Sequence, residues 1–178
     1  METDVYPAAQ TLLPGAFTFV DGIFIVILIL LLLCSALISG SEVAYFSLTP
    51  GELEKLKEKG YDKAYNLHKK PNLLLSTILI SNNFVNVAIV IISSYLVNSL
   101  FDFSNNPVLG FIIQVVLVTF VILLFGEIIP KLYANRSQVK MAIFMAGPLT
   151  FLTYVFRPLS VLLIKSTSII SKRMVKKT

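Results

Sequence analysis

Ser39, Asn82, Asn86 and Glu127 stand inside long apolar runs, each within a tight polar cluster. The clusters are Ser39-Gly40-Ser41-Glu42, Ser81-Asn82-Asn83 with Asn86, and Gly126-Glu127 with Pro130-Lys131. Polar and ionisable groups at membrane depth are expensive, so by default they face a partner or a pathway. Every polar side chain here except Lys131 offers oxygen, which points to a hard cation.

The spacing decides which side chains can meet. Asn82 and Asn86 lie four residues apart and share one helix face, as do Asn83 and Asn86, three apart. Asparagine offers a neutral carbonyl oxygen that binds a cation without the cost of a full charge. Single asparagines often serve as interhelical hydrogen-bonding groups instead, but three within five residues favour a site. Glu127 is the only acid between Val108 and Lys131. Three residues on, Pro130 lacks the backbone donor that a helix would aim at the Gly126 carbonyl. A freed carbonyl beside a carboxylate is how discontinuous membrane helices hold cations. The competing expectation is an i, i+4 pair between Glu127 and Lys131. In the first cluster, Ser39 and Glu42 share a face and Ser41 points elsewhere. Both serines reach one site only if Gly40 breaks the helix or one serine uses its carbonyl; close helix contact at Gly40 is the alternative.

These residues need long apolar elements to hold them. Of 178 residues 56% are hydrophobic, and the mean hydropathy of +0.80 is too high for a soluble domain of this size. Continuous runs near Ile23–Ile38, Leu73–Val97 and Val108–Phe125 approach the ~20 residues that a spanning helix requires. The expected class is an all-α membrane protein: three transmembrane helices, a cytoplasmic helical hairpin and a broken juxtamembrane belt helix. The expected spans are about 20–47, 72–98 and 107–134, with the hairpin at about 50–70, the belt at about 138–175 and a tail over 1–18. Thr49, Pro50 and Glu52 form a helix-start signal for the hairpin. Gly60 divides it, and Leu53, Leu56, Tyr65 and Leu67 are its expected buried side. His68 reads as a solvated helix residue.

All fifteen Lys and Arg fall between Lys55 and Lys70 or from Lys131 onward. The positive-inside rule then puts the hairpin and the C-terminus in the cytoplasm, and the N-terminus and the Asn98–Pro107 loop outside. The external pieces carry only the acids Glu2, Asp4, Asp21 and Asp102. Topology explains the basic blocks better than nucleic acid, which is not an expected partner. Met141–Ile170 is interrupted by Pro148, Arg157-Pro158 and Lys165. A single span there would carry Lys172, Arg173, Lys176 and Lys177 outside, so an interfacial or re-entrant belt is expected, with a fourth span as the alternative. The lone cysteine, Cys34, rules out an internal disulfide or a Cys/His metal cluster. The absence of soft and imidazole ligands favours Mg²⁺, Ca²⁺ or Na⁺, and few neutral oxygens with one carboxylate suit a compact six-coordinate site better than a Ca²⁺ cage.

The stretches "ISGSEVAYFSLT", "LLLSTILISNNFVNVAI" and "FGEIIPKLYA" resemble the signatures of the DUF21 transmembrane domain of the CNNM/CorC family of magnesium transporters. The bacterial members are labelled hemolysin-like or gliding-motility-associated. The resemblance covers roughly Phe19 to Lys177. It implies a homodimer in the cytoplasmic (inner) membrane. Each protomer would hold a dehydrated Mg²⁺ open to the cytoplasm, exported by alternating access with Na⁺ as counter-ion. Carried onto this chain, Ser39, Asn82, Asn86 and Glu127 would coordinate Mg²⁺, with Ser41 and the Gly126 carbonyl as lesser candidates. The family usually has glycine where this chain has Ser81. Family members continue into paired CBS domains that bind ATP-Mg²⁺, absent after Thr178, so a fragment without nucleotide regulation is expected. The alternative function is a Mg²⁺-sensing or accessory scaffold without transport. An intramembrane enzyme fits poorly: there is no His pair and no thiol base, and Lys131 has no serine partner at useful spacing.

Overall fold

The computed structural model describes residues 18–101, 103 and 106–165. The N-terminal tail up to Phe17, Asp102, and the C-terminal stretch with Lys172, Arg173, Lys176 and Lys177 lie outside the described residues. Every extended element described is helical, and the chain is an all-α membrane protein. Three helices are long and apolar enough to span a bilayer: α1 (Phe19–Phe46), α4 (Pro71–Leu100) and α5 (Pro107–Arg136). Between α1 and α4 lie the short helices α2 (Pro50–Glu58) and α3 (Asp62–His68). After α5 come α6 (Gln138–Val155) and α7 (Arg157–Lys165), bent by 74° from one another.

Local chemistry explains where the helices start and stop. Thr18 and Asp21 form a capping box at the start of α1, and Thr49 and Glu52 form another at α2. Each satisfies donors that the first helical turn leaves free. Helix α2 ends in a Schellman turn. Gly60 takes φ +75°, Tyr61 N–H donates to the Leu56 carbonyl at 2.9 Å, and Gly60 N–H donates to the Lys57 carbonyl at 3.1 Å. That left-handed backbone suits glycine and turns α3 back over α2. The bend at Phe156 precedes Pro158, whose ring fits only the first turn of the next helix. Within α5, Ile122–Ile128 is π-helical, and Ile129 N–H reaches five residues back to the Leu124 carbonyl.

The main core lies at the hairpin end of the bundle. Tyr45, Leu56, Ala64, Leu74, Ile78, Ala142, Met145 and Leu149 bring α1, α2, α3, α4 and α6 together. The fully buried Tyr45 hydroxyl donates to the Ala142 carbonyl at 2.8 Å and so ties α1 to α6. Of the hairpin's expected buried side, Leu56 is 1% exposed, and Leu53 and Leu67 pack against the core. Tyr65 instead holds Lys69 Nζ 4.7 Å from its ring centre, a cation–π contact. His68 departs from the solvated reading. It is half-buried and its Nδ1 lies 3.0 Å from the Tyr45 carbonyl, one of the acceptors left free at the end of α1. As a carbonyl only accepts, Nδ1 carries the proton. A smaller cluster of Ile89, Val118 and Ile122 joins α4 to α5. Much of the remaining apolar surface is exposed along the spans, including Phe111, Val116 and Phe120, as a lipid-facing surface requires.

Gly40 does not break α1, which is helical from Phe19 to Phe46. Its role is close approach. A Cβ there would meet Met141 Cε at 3.0 Å, the Pro130 carbonyl at 3.3 Å and Ala134 Cβ at 3.5 Å. Two helices cross over this glycine because nothing larger fits.

Candidate metal centre

Three helices deliver the polar side chains to one depth. Ser35 lies eleven residues before the end of α1, Asn82 eleven after the start of α4, and Glu127 nine before the end of α5. At 1.5 Å per residue these are about 16, 16 and 14 Å from the hairpin end, near the middle of a ~30 Å hydrocarbon core.

The centre is a short chain of contacts. Ser35 Oγ lies 3.0 Å from Asn82 Oδ1 and 3.0 Å from Asn86 Oδ1. The two amide nitrogens, Asn82 Nδ2 and Asn86 Nδ2, donate to Glu127 Oε1, each at 3.4 Å. Ser39 Oγ, one turn along α1 from Ser35, is buried and has no hydrogen-bond partner. Gly126 is buried against the same point: a Cβ on it would come within 2.9 Å of Ser35 Oγ.

The proton count is informative. A serine hydroxyl has one proton, yet Ser35 faces two carbonyl oxygens at equal distance. One of the two oxygen pairs is therefore lone pair against lone pair. The amide donors reach Glu127 only at the long limit of a hydrogen bond. Ser39 adds another oxygen with nothing to bind. The side chains thus leave one carbonyl of the pair without a donor, Glu127 with only long contacts and Ser39 with no partner. A cation would satisfy the oxygens that these contacts leave unmet. Among the described residues no three His, Cys, Asp or Glu side chains gather, so the donors are hydroxyls, amide oxygens and one carboxylate. That set suits a hard ion.

The structure brings Asn82, Asn86, Gly126 and Glu127 together around Ser35, places Ser39 buried one turn along α1, and leaves other sequence candidates apart. The Ser41 hydroxyl donates to the Ile38 carbonyl of its own helix at 2.7 Å, so its side chain is spent on backbone. Asn83 is exposed. Lys131 does not pair with Glu127: its Nζ lies 3.2 Å from Glu42 Oε2. That pair joins α5 to α1 and leaves the Glu127 carboxylate to the asparagines. Ser81 is 1% exposed, and its hydroxyl has no partner. Pro130 sits just after the π-helical turn that carries Gly126 and Glu127. Extra turns of this kind inside α-helices often mark functional sites.

Ser35 is the residue that sequence reasoning missed. Its signal was the four-residue spacing from Ser39, which puts both hydroxyls on one face of α1. A lone serine beside Cys34 in an apolar run reads as ordinary helix packing.

Residues 26–178 match the family model of the cyclin M transmembrane N-terminal domain. The UPF0053 protein of Haemophilus influenzae is 40% identical over 137 residues, covering 75% of this chain and 31% of that protein. The UPF0053 inner membrane protein YfjD of Escherichia coli is 32% identical over 124 residues, 66% of this chain and 28% of that protein. Metal transporter cnnm-1 of Caenorhabditis elegans is 35% identical over 108 residues, 56% of this chain and 12% of that protein. The chain spans well under half the length of these curated relatives.

Proposed function

Since the chain belongs to the cyclin M transmembrane domain family, CNNM, we propose that it binds Mg²⁺ between its three spanning helices and moves it across the membrane. The observation that carries this reading is the under-bonded oxygen cluster: one Ser35 hydroxyl between two asparagine carbonyls, Glu127 held only by long amide contacts, and the unpartnered Ser39 one turn along α1. A relative named a metal transporter supports it.

In this reading Ser35, Ser39, Asn82 and Asn86 supply neutral oxygens, and Glu127 supplies the charge. Gly126 leaves room for the ion and offers its carbonyl. Binding replaces the long amide contacts to Glu127 with direct coordination; without the ion, weak bonds hold the ligands apart. Mg²⁺ dehydrates reluctantly. A site of neutral oxygens and one carboxylate holds it without a charge excess that would trap it. The ion's cytoplasmic access, export direction and Na⁺ coupling belong to the same proposal. So do the inner-membrane location with the N-terminus outside and the C-terminus in the cytoplasm, homodimerisation, and CBS domains in a longer chain.

The test is flux. Liposomes carrying the protein and a Mg²⁺-sensitive dye should show protein-dependent Mg²⁺ movement that responds to an imposed Na⁺ gradient. Mg²⁺ binding without movement would replace the transporter reading with a sensing scaffold. Movement insensitive to Na⁺ would remove the coupling.

A further inference from the structure

We propose that the cleft between the hairpin and the belt helices binds the phosphate of an anionic phospholipid headgroup. The cleft, about 350 Å³, is lined by Lys63 of α3, Lys70 at the threshold of α4 and Arg157 at the start of α7. That volume lies within the ~300–1,000 Å³ typical of small-ligand sites. Among the described residues no acidic side chain lines the cleft. Among the described residues none of the three cations has a carboxylate partner; the ion pair that forms is Lys131 with Glu42.

A second observation comes from the wall. Thr150 and Thr153 also line the cleft. The Thr150 hydroxyl donates to the Ala146 carbonyl at 2.6 Å. The Thr153 hydroxyl is buried and has no hydrogen-bond partner. A phosphate oxygen answers both deficits: it accepts from a hydroxyl, from ammonium groups and from a guanidinium that binds it through two parallel bonds.

Position selects the source of the phosphate. Lys70 precedes Pro71, where the spanning helix α4 begins, so the cleft lies at headgroup level. The rest of its wall includes Leu73, Leu74 and Tyr154, and Tyr154 is 79% exposed. A free anion needs the cations only; a phospholipid uses the cations for its phosphate and the apolar wall for its acyl chains. Basic pockets between helices at the cytoplasmic face are a known lipid-binding arrangement. Other hairpin lysines lack this setting. Lys57 and Lys69 lie over the ring of Tyr65, and Lys55 and Lys59 are exposed and do not line the cleft.

The probe is phosphatidylglycerol titrated into the purified protein in a zwitterionic detergent, read by thermal stabilisation and by native mass spectrometry. The double variant Lys70→Gln/Arg157→Gln should lose at least about tenfold in apparent affinity, with its lipid-free melting temperature unchanged. Lys55→Gln/Lys59→Gln, which removes the same charge elsewhere on the hairpin, should bind as the parent does. Thr153→Val keeps the charge and should lose about three- to tenfold, the cost of one hydrogen bond. Equal losses in the two double variants would overturn the proposal in favour of a diffuse surface potential. Equal stabilisation by inorganic phosphate would overturn it in favour of a soluble anion.

Discussion

Asp21 and Glu127 are both carboxylates on spanning helices. Asp21 accepts from Thr18 N at 2.8 Å, from Thr18 Oγ1 at 2.6 Å and from Ser99 Oγ at 2.7 Å. It is 0% exposed. Glu127 has two contacts of 3.4 Å, both on Oε1, from amides whose own oxygens crowd Ser35. The first acid is fully bonded at ordinary distances and fastens the start of α1 to the end of α4. The second sits among donors that reach it only at the long limit. In a membrane core, where every unmet polar group is costly, the first arrangement is a joint. The second holds its ligands ready for something else. The acid alone does not separate them; the number and length of the bonds around it do.

The largest effect that tests this contrast is a paired substitution. Glu127→Gln removes the carboxylate of the centre. Mg²⁺ affinity, read by Mg²⁺-dependent thermal stabilisation, should fall by about a hundredfold or more, ~2.7 kcal/mol, while the metal-free melting temperature stays near that of the parent. Asp21→Ala should do the reverse, lowering the metal-free melting temperature by several degrees through its orphaned partners and leaving Mg²⁺ affinity unchanged. If Asp21→Ala weakens Mg²⁺ as much as Glu127→Gln, the division between joint and site fails.

A smaller effect carries a distinctive sign. Ser39→Ala removes a buried hydroxyl that has no partner. The metal-free protein should be as stable as the parent or more so, because no unmet group remains, while Mg²⁺ affinity falls by about fivefold, near 1 kcal/mol. Loss of stability without metal would mean that the hydroxyl already had a partner.

The smallest effect lies outside the membrane. Glu52 accepts from the Thr49 backbone at 2.8 Å and from its hydroxyl at 2.7 Å. The backbone bond, then the hydroxyl, holds its carboxyl below the usual glutamate range. Its contribution to the hairpin is therefore complete above the ordinary glutamate pKa and is lost as pH falls through the lowered folded value. Amide exchange at the start of α2 should quicken over that acid window, relative to the neutral-pH trend, and Glu52→Gln should remove the pH dependence.

The parts of the fold that the sequence disclosed were those written in local chemistry. Thr49, Pro50 and Glu52 announce a helix start that needs no tertiary partner. Asn82, Asn86 and Glu127 were legible because lipid cannot accommodate them singly. What could not be read depended on which helix lies against which. Lys131 has Glu127 four residues before it, but the crossing of α5 over α1 offers Glu42 instead. Gly40 between two serines suits a break and a crossing alike, and Pro130 and Met141 overhead decide for the crossing. Ser35 gains meaning only when two asparagines arrive from another helix. His68 looked solvated because its acceptor, the Tyr45 carbonyl, lies 23 residues away.

The π-helical turn Ile122–Ile128 has a consequence for register. Five-residue hydrogen bonding accommodates one residue more than an α-turn would, so everything beyond it in α5 is set out of phase with everything before it. One residue is about 100° of rotation. Up to the first residue of the turn, Val118 and Ile122 face α4. After it, Lys131 faces Glu42 and Ala134 lies over Gly40. Deleting a single residue within the turn would restore a regular helix and swing one of these faces into lipid. This stretch therefore behaves as a phase-setting insertion. Substitution on its lipid side should leave the register intact, whereas a change of length should not.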